Sequence, residues 1–301
     1  MAERRPRVLL PYRRVIRGSN GQRQPEAPEV SMEPRPVATA APVEQSGVAA
    51  AIDRDGRRVD SPSTVAEAAR RLRDQPGTMA WIGLYRPAET QLLAVAEEFG
   101  LHELAVEDAI VAHQRPKLER YGDTLFVVLR AARYLDEVEE VEFGEIHLFV
   151  GSNFVLTVRH GQAPDLAAVR RRMEGDPELL RLGPEAVLYA ILDGVVDGYA
   201  PVVAGLQNDI DEIETEVFGG DPKVSRRIYE LSREVIEFQR ATSPLLGMLA
   251  RLMAGFEKYG TDEELQRYLR DVADHATIVA ERVDGFRQML ADILTVNATL
   301  V

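Results

Sequence analysis

The feature that most constrains the fold is a repeat of apolar residues near the end of the 301-residue chain. The spacing between its members alternates between four and three residues, an average period of 3.5 over four heptads. Nine residues form this seam: Leu265, Leu269, Val272, Ala276, Val279, Val283, Phe286, Leu290 and Ile293. A period of 3.5 predicts one long α-helix that buries the seam against other helices in a left-handed supercoil.

Two further long helices are predicted upstream of this one. The first begins at Pro184, which suits the first helical position, and continues to about Phe218. The second extends from about residue 221 to Phe256, with Pro244 inside it as the site of a kink. Two glycines separate these helices, so we expect them to form an antiparallel hairpin.

The helix that carries the seam is predicted to begin near Thr261, because Glu264 lies at the spacing of a capping box. No stop signal follows the seam before Val301. We therefore expect this helix to continue beyond the last residue of the sequence.

Residues 49–183 contain shorter periodic segments, which predict an α/β domain of layered helices and strands. Turn residues connect the later strands as hairpins, so we expect a mostly antiparallel sheet. The strands are predicted at 79–84, 124–129, 145–150 and 154–158. Together with the long-helix region 184–301, this domain gives an α+β fold class.

Residues 1–48 differ from the rest of the chain because they are rich in Arg, Pro, Ala and Gln and lack a hydrophobic period. Such a composition buries too little apolar surface to offset the entropy lost on ordering. We therefore predict a disordered, basic, proline-rich tail.

The charge balance limits the partners of the protein. The chain has 49 acidic and 36 basic residues, a formal net charge of -13, and no cysteine. This balance argues against nucleic acid, since phosphate binding needs clusters of Lys and Arg, whereas an acidic chain suits cations. Disulfides and thiolate metal sites are excluded. We find no run of roughly 20 apolar residues, so no membrane span is predicted within the sequence.

No motif indicates an enzyme. The chain lacks the GxGxxG and phosphate-loop patterns of nucleotide-binding enzymes, the GxSxG of hydrolases and the HExxH of zinc proteases. We therefore predict a protein that is not an enzyme.

The remaining candidates for a functional site are acidic residues on predicted helices. Six side chains are candidate metal ligands: Glu107, Asp108, Asp193, Asp271, Asp274 and His275. The last three lie at positions i, i+3 and i+4 of one helix and therefore share a face. Magnesium takes oxygen ligands and keeps much of its water, so one or two carboxylates per ion are enough. Solvated acids on helix surfaces explain the same pattern without any metal.

Three segments resemble the CorA family of divalent-cation channels. Glu107-Asp108 followed by His-Gln-Arg-Pro-Lys at 113–117 resembles the signature of that family at the same spacing. The segment 268–275, Tyr-Leu-Arg-Asp-Val-Ala-Asp-His, resembles the stalk helix of the family, and 188–193 resembles the helix before its hairpin. The resemblance spans roughly residues 55–301.

This resemblance implies a homopentamer with a funnel-shaped cytoplasmic part, in which an α/β domain packs beside two willow helices and a stalk helix. The stalk helix of the family continues into the membrane, whereas this sequence lacks the family's transmembrane helices and its Gly-Met-Asn selectivity loop. The resemblance therefore implies the cytoplasmic, regulatory part of a channel for Mg²⁺ or Co²⁺ in the inner or plasma membrane.

The resemblance also implies roles for the candidate ligands. Asp108 of one subunit and Asp271 of its neighbour resemble the primary pair of regulatory Mg²⁺ ligands. Glu107 and Asp193 resemble ligands of a second site, and Asp274 and the histidine after it lie close to the first pair. Metal bound between subunits is expected to hold the channel closed.

Two other functions remain open. The zinc-transporting ZntB branch shares this fold, although a chain without cysteine and without clustered histidines favours magnesium or cobalt over zinc. The other alternative is a soluble coiled-coil scaffold, with no metal role, whose seam binds partner helices.

Overall fold

The computed structural model describes residues 47–162, 164–219 and 223–300. The tail predicted at 1–48 lies outside the described residues apart from Gly47 and Val48, and Val48 begins the first strand. The described chain forms one sheet covered by helices and followed by long helices. The predicted α+β fold class is therefore confirmed.

Seven strands form a single sheet in the described chain: β1 Val48–Arg54, β2 Arg57–Asp60, β3 Met79–Tyr85, β4 Lys117–Tyr121, β5 Thr124–Leu135, β6 Glu140–Val150 and β7 Phe154–Arg159. Their order across the sheet is β2-β1-β3-β7-β6-β5-β4. All neighbouring pairs are antiparallel except β3 and β7, which run parallel in the middle of the sheet. The mostly antiparallel sheet is therefore confirmed.

Five short helices cover the two faces of this sheet: α1 Val65–Asp74, α2 Glu89–Phe99, α3 Glu103–Val111, α4 Leu166–Glu174 and α5 Pro177–Leu180. The helices α1, α2 and α3 pack on one face, in a core that includes Ile82 and Phe126. The opposite face, with Trp81 and Val155, packs against α4, α5 and the helices that follow them. The central strands are apolar along both faces because both faces are covered.

The chain from Pro184 onward forms four helices: α6 Pro184–Asp197, α7 Tyr199–Gly219, α8 Val224–Tyr259 and α9 Glu263–Leu300. The first predicted helix is divided at Gly198, so the prediction of one continuous helix was wrong. Pro201 explains the division, because it has no N–H to donate to the carbonyl of Asp197 and its ring crowds that carbonyl.

The seam of α9 is buried inside the chain. All nine of its predicted residues are at most 8% exposed. The helix packs mainly against α8, with α7 and α6 beside it. Its N-terminus is capped by Asp262 and not by Thr261, since Asp262 Oδ1 accepts the backbone N–H of Glu264 at 2.9 Å. The seam thus faces other helices, as predicted, and these helices belong to the same chain.

One stretch of the described chain, Pro184–Gly219, is helical, long and apolar enough to pass as a membrane span. The sequence analysis considered uninterrupted apolar runs, whereas this stretch contains Asp193 and Asp197 among its apolar residues. Its most apolar window is 56% buried inside the protein. Packing in the core therefore accounts for its composition as well as a membrane would.

A close contact joins the sheet to α7. The backbone of Gly205 faces the ring of Tyr134, and a Cβ at this glycine would lie 2.5 Å from ring atoms. The Tyr134 hydroxyl donates to Asp209 Oδ1 at 2.8 Å, while Oδ2 of Asp209 has no partner among the described residues. Asp209 is 5% exposed. Burial raises its pKa to about 6, although the hydrogen bond from Tyr134 acts in the opposite direction.

Gly205→Ala should weaken this contact, because the added methyl group must push the ring of Tyr134 away from α7. We expect the free energy of unfolding, measured by urea denaturation, to fall by about 1–3 kcal/mol. Gly247→Ala on the exposed side of α8 is the matched control, since a Cβ there meets no atom within 4 Å. The control should gain about 0.5–1 kcal/mol from helix propensity. Equal losses in both variants would contradict the packing argument.

Asp209 should make stability depend on pH. Its pKa in the folded state is raised, so the folded protein binds the proton more tightly than the unfolded chain does. Its contribution to stability is therefore complete below about pH 4 and is lost as the pH rises through about 6. Asp209→Asn keeps an acceptor for Tyr134 but removes the titration, so its unfolding free energy should fall less over this range.

Urea denaturation at a series of pH values measures this difference. Asp211→Asn, at an exposed carboxylate on the same helix, is the control and should follow the wild-type curve. A fall in stability that is as steep in Asp209→Asn as in the wild type would show that Asp209 is not the group responsible.

Candidate metal sites

Glu107 and Asp108 lie on α3, which is short and capped by a histidine. The Nδ1 atom of His102 accepts a hydrogen bond from the backbone N–H of Leu104 at 3.3 Å. Alanine and valine side chains on the inner side of α3 are buried against the sheet. This packing turns the acidic pair outward, with Glu107 exposed and Asp108 partly exposed.

Asp108 has a cationic partner in its own chain. The Nζ atom of Lys117 lies 2.6 Å from Asp108 Oδ2 and 3.0 Å from Oε2 of Glu119. Partial burial opposes the charged amine, but hydrogen bonds to the two carboxylates outweigh it and raise the pKa of Lys117. The side chain of Asp108 is 24% exposed. A metal ion can therefore reach Asp108, but it must compete with Lys117.

The segment between α3 and β4 has an unusual backbone. Ala112 and His113 have φ angles of 56° and 62°, which residues other than glycine seldom adopt. The backbone N–H of Gln114 donates to the carboxylate of Glu145 at 3.1 Å, and the N–H of His113 donates to the same group. These bonds offset a strain on the order of 1–3 kcal/mol per residue. Glu145 thus positions the segment that connects Asp108 to Lys117.

Glu145 belongs to a buried polar network that the sequence analysis missed. Its Oε1 atom lies 2.7 Å from Nε2 of His147, whose side chain is fully buried. Burial opposes the charge of Glu145, but His147 and the backbone N–H groups outweigh burial and lower its pKa. His160 extends the network to α3, since its Nε2 lies 2.9 Å from the carbonyl oxygen of Ala109. Two polar residues inside an apolar strand were the available signal, because buried polar groups need partners.

Asp193 lies on α6, where it pairs with an arginine of α4. Nη2 of Arg172 is 2.8 Å from Asp193 Oδ2, and the Asp193 side chain is 16% exposed. Burial raises the pKa of Asp193, the carboxylates of Asp197 and Asp271 raise it further, and Arg172 lowers it. Asp193 and Asp271 are therefore close enough to repel each other, across the contact between α6 and α9.

The three candidates on α9 are exposed. The side chain of Asp271 is 68% exposed, and Nε2 of His275 lies 4.0 Å from its Oδ1. Asp274 lies one turn from Asp271 and points to solvent. Tyr268 of α9 stacks on Tyr189 of α6 with ring centroids 5.3 Å apart, which fixes the two helices against each other.

The six candidate ligands thus fall into two groups. Glu107 and Asp108 lie on α3, whereas Asp193 of α6 lies close to Asp271 of α9, the helix that also carries Asp274 and His275. Within the residues that the structure describes, no three Asp, Glu or His side chains are grouped closely enough to hold a metal ion.

A third acidic region lies at the far end of α7, and an arginine of α8 balances part of its charge. Arg227 forms ion pairs with Glu139, Glu212 and Glu216, the first at 2.9 Å and the second at 2.8 Å. This region resembles the others in having an internal cation beside its carboxylates.

The chain was compared with known families and relatives. Residues 76–300 match the family described as "CorA-like Mg2+ transporter protein". The cobalt/magnesium transport protein CorA of Thermotoga maritima is 29% identical to the chain over 242 residues, which are 79% of this chain and 68% of that protein.

Solved structures with the same fold include the soluble domain of CorA from Methanocaldococcus jannaschii. It has a TM-score of 0.69 and 16% identity, over 84% of this chain and 97% of that one. The cytoplasmic domain of ZntB from Vibrio parahaemolyticus has a TM-score of 0.58 and 15% identity, over 75% of this chain and 90% of that one. At such identities these two likenesses concern the fold alone. Because the family match extends over most of the chain, the protein belongs to the CorA-like Mg²⁺ transporter family.

Proposed function

We propose that this chain is the cytoplasmic, Mg²⁺-sensing region of a CorA-type divalent-cation channel. In this proposal, Mg²⁺ or Co²⁺ binds between Asp108 of one subunit and Asp271 of the next subunit in a homopentamer. Glu107 and Asp193 contribute to a second site, with Asp274 and His275 close to the first. Bound metal holds the subunits in the closed arrangement of the channel, which is anchored in the inner or plasma membrane.

One observation carries the proposal. The candidate carboxylates are accessible on two separate surfaces, and the described part of a single chain gathers no three ligands around one point. Two such surfaces from different copies supply more oxygen ligands than one copy does. Magnesium needs only one or two carboxylates and fills the rest of its coordination with water, so such a shared site fits its chemistry.

Repulsion between copies of the chain explains how a site shared between subunits would respond to metal. Each chain has a net charge of -13, so copies repel one another when they approach. Two carboxylates ~4 Å apart repel by about 4 kcal/mol at an effective dielectric constant near 20. A divalent cation between them turns this repulsion into attraction. Loss of metal then loosens the boundary between subunits, which shifts the population away from the closed state.

Basic side chains of the same chain affect how tightly the proposed sites bind metal. Lys117 forms an ion pair with Asp108, and Arg172 forms one with Asp193. An incoming Mg²⁺ ion must therefore displace each of these basic side chains or share the carboxylate with it. Such competition lowers the affinity of the site for metal. A site of modest affinity suits a sensor, because its occupancy must change when the cytoplasmic concentration of metal changes.

The alternatives find less support. The fold is similar to that of the ZntB cytoplasmic domain, so a zinc-transporting relative remains an alternative. Carboxylates without cysteine, however, are poor zinc ligands. The scaffold alternative needs the seam of α9 for partner helices, whereas the seam is already buried by helices of its own chain.

Asp271→Lys should abolish the response to magnesium while the fold is kept, since the side chain is exposed. In the wild-type protein, magnesium should raise the midpoint of thermal unfolding, and in the variant this rise should disappear. Asp292→Lys is the matched control, because it makes the same charge change at an exposed position of the same helix. An equal magnesium-dependent rise in wild type and Asp271→Lys would refute the assignment of Asp271.

Sedimentation velocity should show that metal changes the assembly of the full 301-residue chain. We expect millimolar magnesium to shift the wild-type protein toward larger species, because the cation removes repulsion between copies. Asp108→Asn should shift less at the same magnesium concentration. A distribution that is independent of magnesium would favour a scaffold without metal role, and a response to zinc alone would favour the ZntB-like alternative.

A further inference from the structure

The strands β5 and β6 extend beyond the rest of the sheet as a two-stranded ribbon. In the described sheet, residues 131–135 and 140–144 pair only with each other, from Ala131 opposite Gly144 to Leu135 opposite Glu140. An isolated pair of strands is marginally stable in water. The order of this segment, residues 131–144, which we call the hairpin arm, therefore depends on what it packs against.

The hairpin arm packs against α7 and α8. The hydroxyl of Tyr134 donates to Oδ1 of Asp209, on α7, at 2.8 Å. The backbone N–H of Val141 donates to Oε2 of Glu234, on α8, at 3.2 Å. Tyr134 and Val141 are directly opposite each other in the arm. The arm therefore brings two carboxyl groups, those of Asp209 and Glu234, to neighbouring positions, and we call them the carboxyl pair.

The carboxyl pair lines a cavity of about 840 Å³ between the arm and the two helices. One oxygen of each carboxyl group is bonded to the arm. The other oxygen of Asp209, Oδ2, is buried and has no hydrogen-bond partner among the described residues. A buried carboxylate oxygen without a donor is costly, and a bound proton lowers this cost by removing the charge.

The surroundings of the carboxyl pair are acidic. The arm has five acidic residues and one arginine. Charged and titratable groups face the pair from all three elements: Tyr134, Glu139 and Glu140 of the arm, Glu212 of α7, and Arg227 and Glu230 of α8. Other charged residues line the same cavity: Lys223, Arg226, Arg233 and Glu237. Counting the pair itself, acidic groups outnumber basic ones here.

Much of the positive charge at this cavity is paired with other acids. Arg226 pairs with Glu230, and Arg227 pairs with three glutamates outside the carboxyl pair. Lys223 and Arg233 are exposed, so solvent screens their charges. The basic residues therefore leave the carboxyl pair with an excess of negative charge.

The pKa values agree with this excess. Burial raises the pKa of Asp209 to about 6, although Tyr134 and Arg227 act in the opposite direction. Burial also raises the pKa of Glu234 to about 7, and the charge of Asp209 adds to this rise, whereas the hydrogen bond from Val141 opposes it. The pair therefore holds a proton more tightly when the arm is docked than two carboxyl groups in water would.

We propose that Asp209 and Glu234 form a proton-dependent latch that fastens the hairpin arm to α7 and α8. One proton on the pair removes the repulsion between two carboxylates and leaves an oxygen of each to accept the hydrogen bonds of the arm. Loss of this proton leaves two negative charges beside an acidic arm, which is then released. The latch uses none of the candidate metal ligands and does not depend on the proposed channel function.

The sign of the pH dependence follows from the raised pKa values. Docking is strongest below about pH 4, where the carboxyl groups are protonated with the arm docked and largely so with it released. Docking weakens as the pH rises through about 7. Release that frees one proton shifts the equilibrium toward the released arm by about tenfold per pH unit.

Hydrogen–deuterium exchange of the full 301-residue chain measures this release, because released amides lose their protection. Exchange is followed by mass spectrometry, corrected for the intrinsic pH dependence of amide exchange, in buffer with EDTA so that no divalent cation takes the place of the proton. We expect the protection of peptides from the arm to fall by about tenfold between about pH 6 and about pH 8. Peptides from the seam of α9 should keep their protection.

Glu234→Gln should abolish this pH dependence. The amide keeps an acceptor for the N–H of Val141 and supplies a donor for Asp209 in place of the proton, so the arm should stay protected at about pH 8. Asp209→Asn should act in the same way from the other side of the pair. Glu137→Gln is the matched control, because it makes the same charge change at an exposed position of the arm and should follow the wild type.

Three results would overturn the proposal. The first is protection of the wild-type arm that does not change with pH. The second is a fall in protection that is as large in Glu234→Gln as in the wild type. The third is a parallel loss of protection in α9, which would show unfolding of the whole chain. If Asp209→Asn does not fold, Glu234→Gln still tests the latch, because Glu234 is only half-buried.

Discussion

The structure depends above all on the burial of the α9 seam by helices of the same chain. All nine seam residues are buried, and the hydrophobic core that contains them continues through α6 and α7 to one face of the sheet. Because the inner side of α9 is occupied in this way, its acidic residues can only point outward. The positions of Asp271, Asp274 and His275 on the surface are therefore a consequence of core packing.

A second constraint is charge compensation inside the chain. Asp108, Asp193 and the acidic end of α7 each have a Lys or Arg from another element within ion-pair distance. Such pairs reduce the repulsion between neighbouring carboxylates of the chain. A cavity behind α4 has the reverse arrangement, since four arginines and one glutamate line it among the described residues.

Predictions from the sequence succeeded where the hydrophobic periodicity was strong. They failed where one or two residues determined a turn or a helix break. The seam, the central strands and the division into sheet and long helices follow from hydrophobic periods. The hairpin of β1 and β2 was not predicted, although Asp55-Gly56 is a typical two-residue turn and both residues have positive φ. The break at Gly198 was also missed, because Pro201 acts on a carbonyl four residues before it.

The sequence by itself determined the fold class, the candidate carboxylates and the match to a family, because these depend on residue types at fixed spacings along the chain. The tertiary structure decided which groups meet. Lys117 reaches Asp108, Arg172 reaches Asp193, and Glu145 holds the strained segment after α3, each across elements that no local pattern connects. Such contacts depend on how the sheet and helices pack in three dimensions, and spacing along the chain carries no information about that packing.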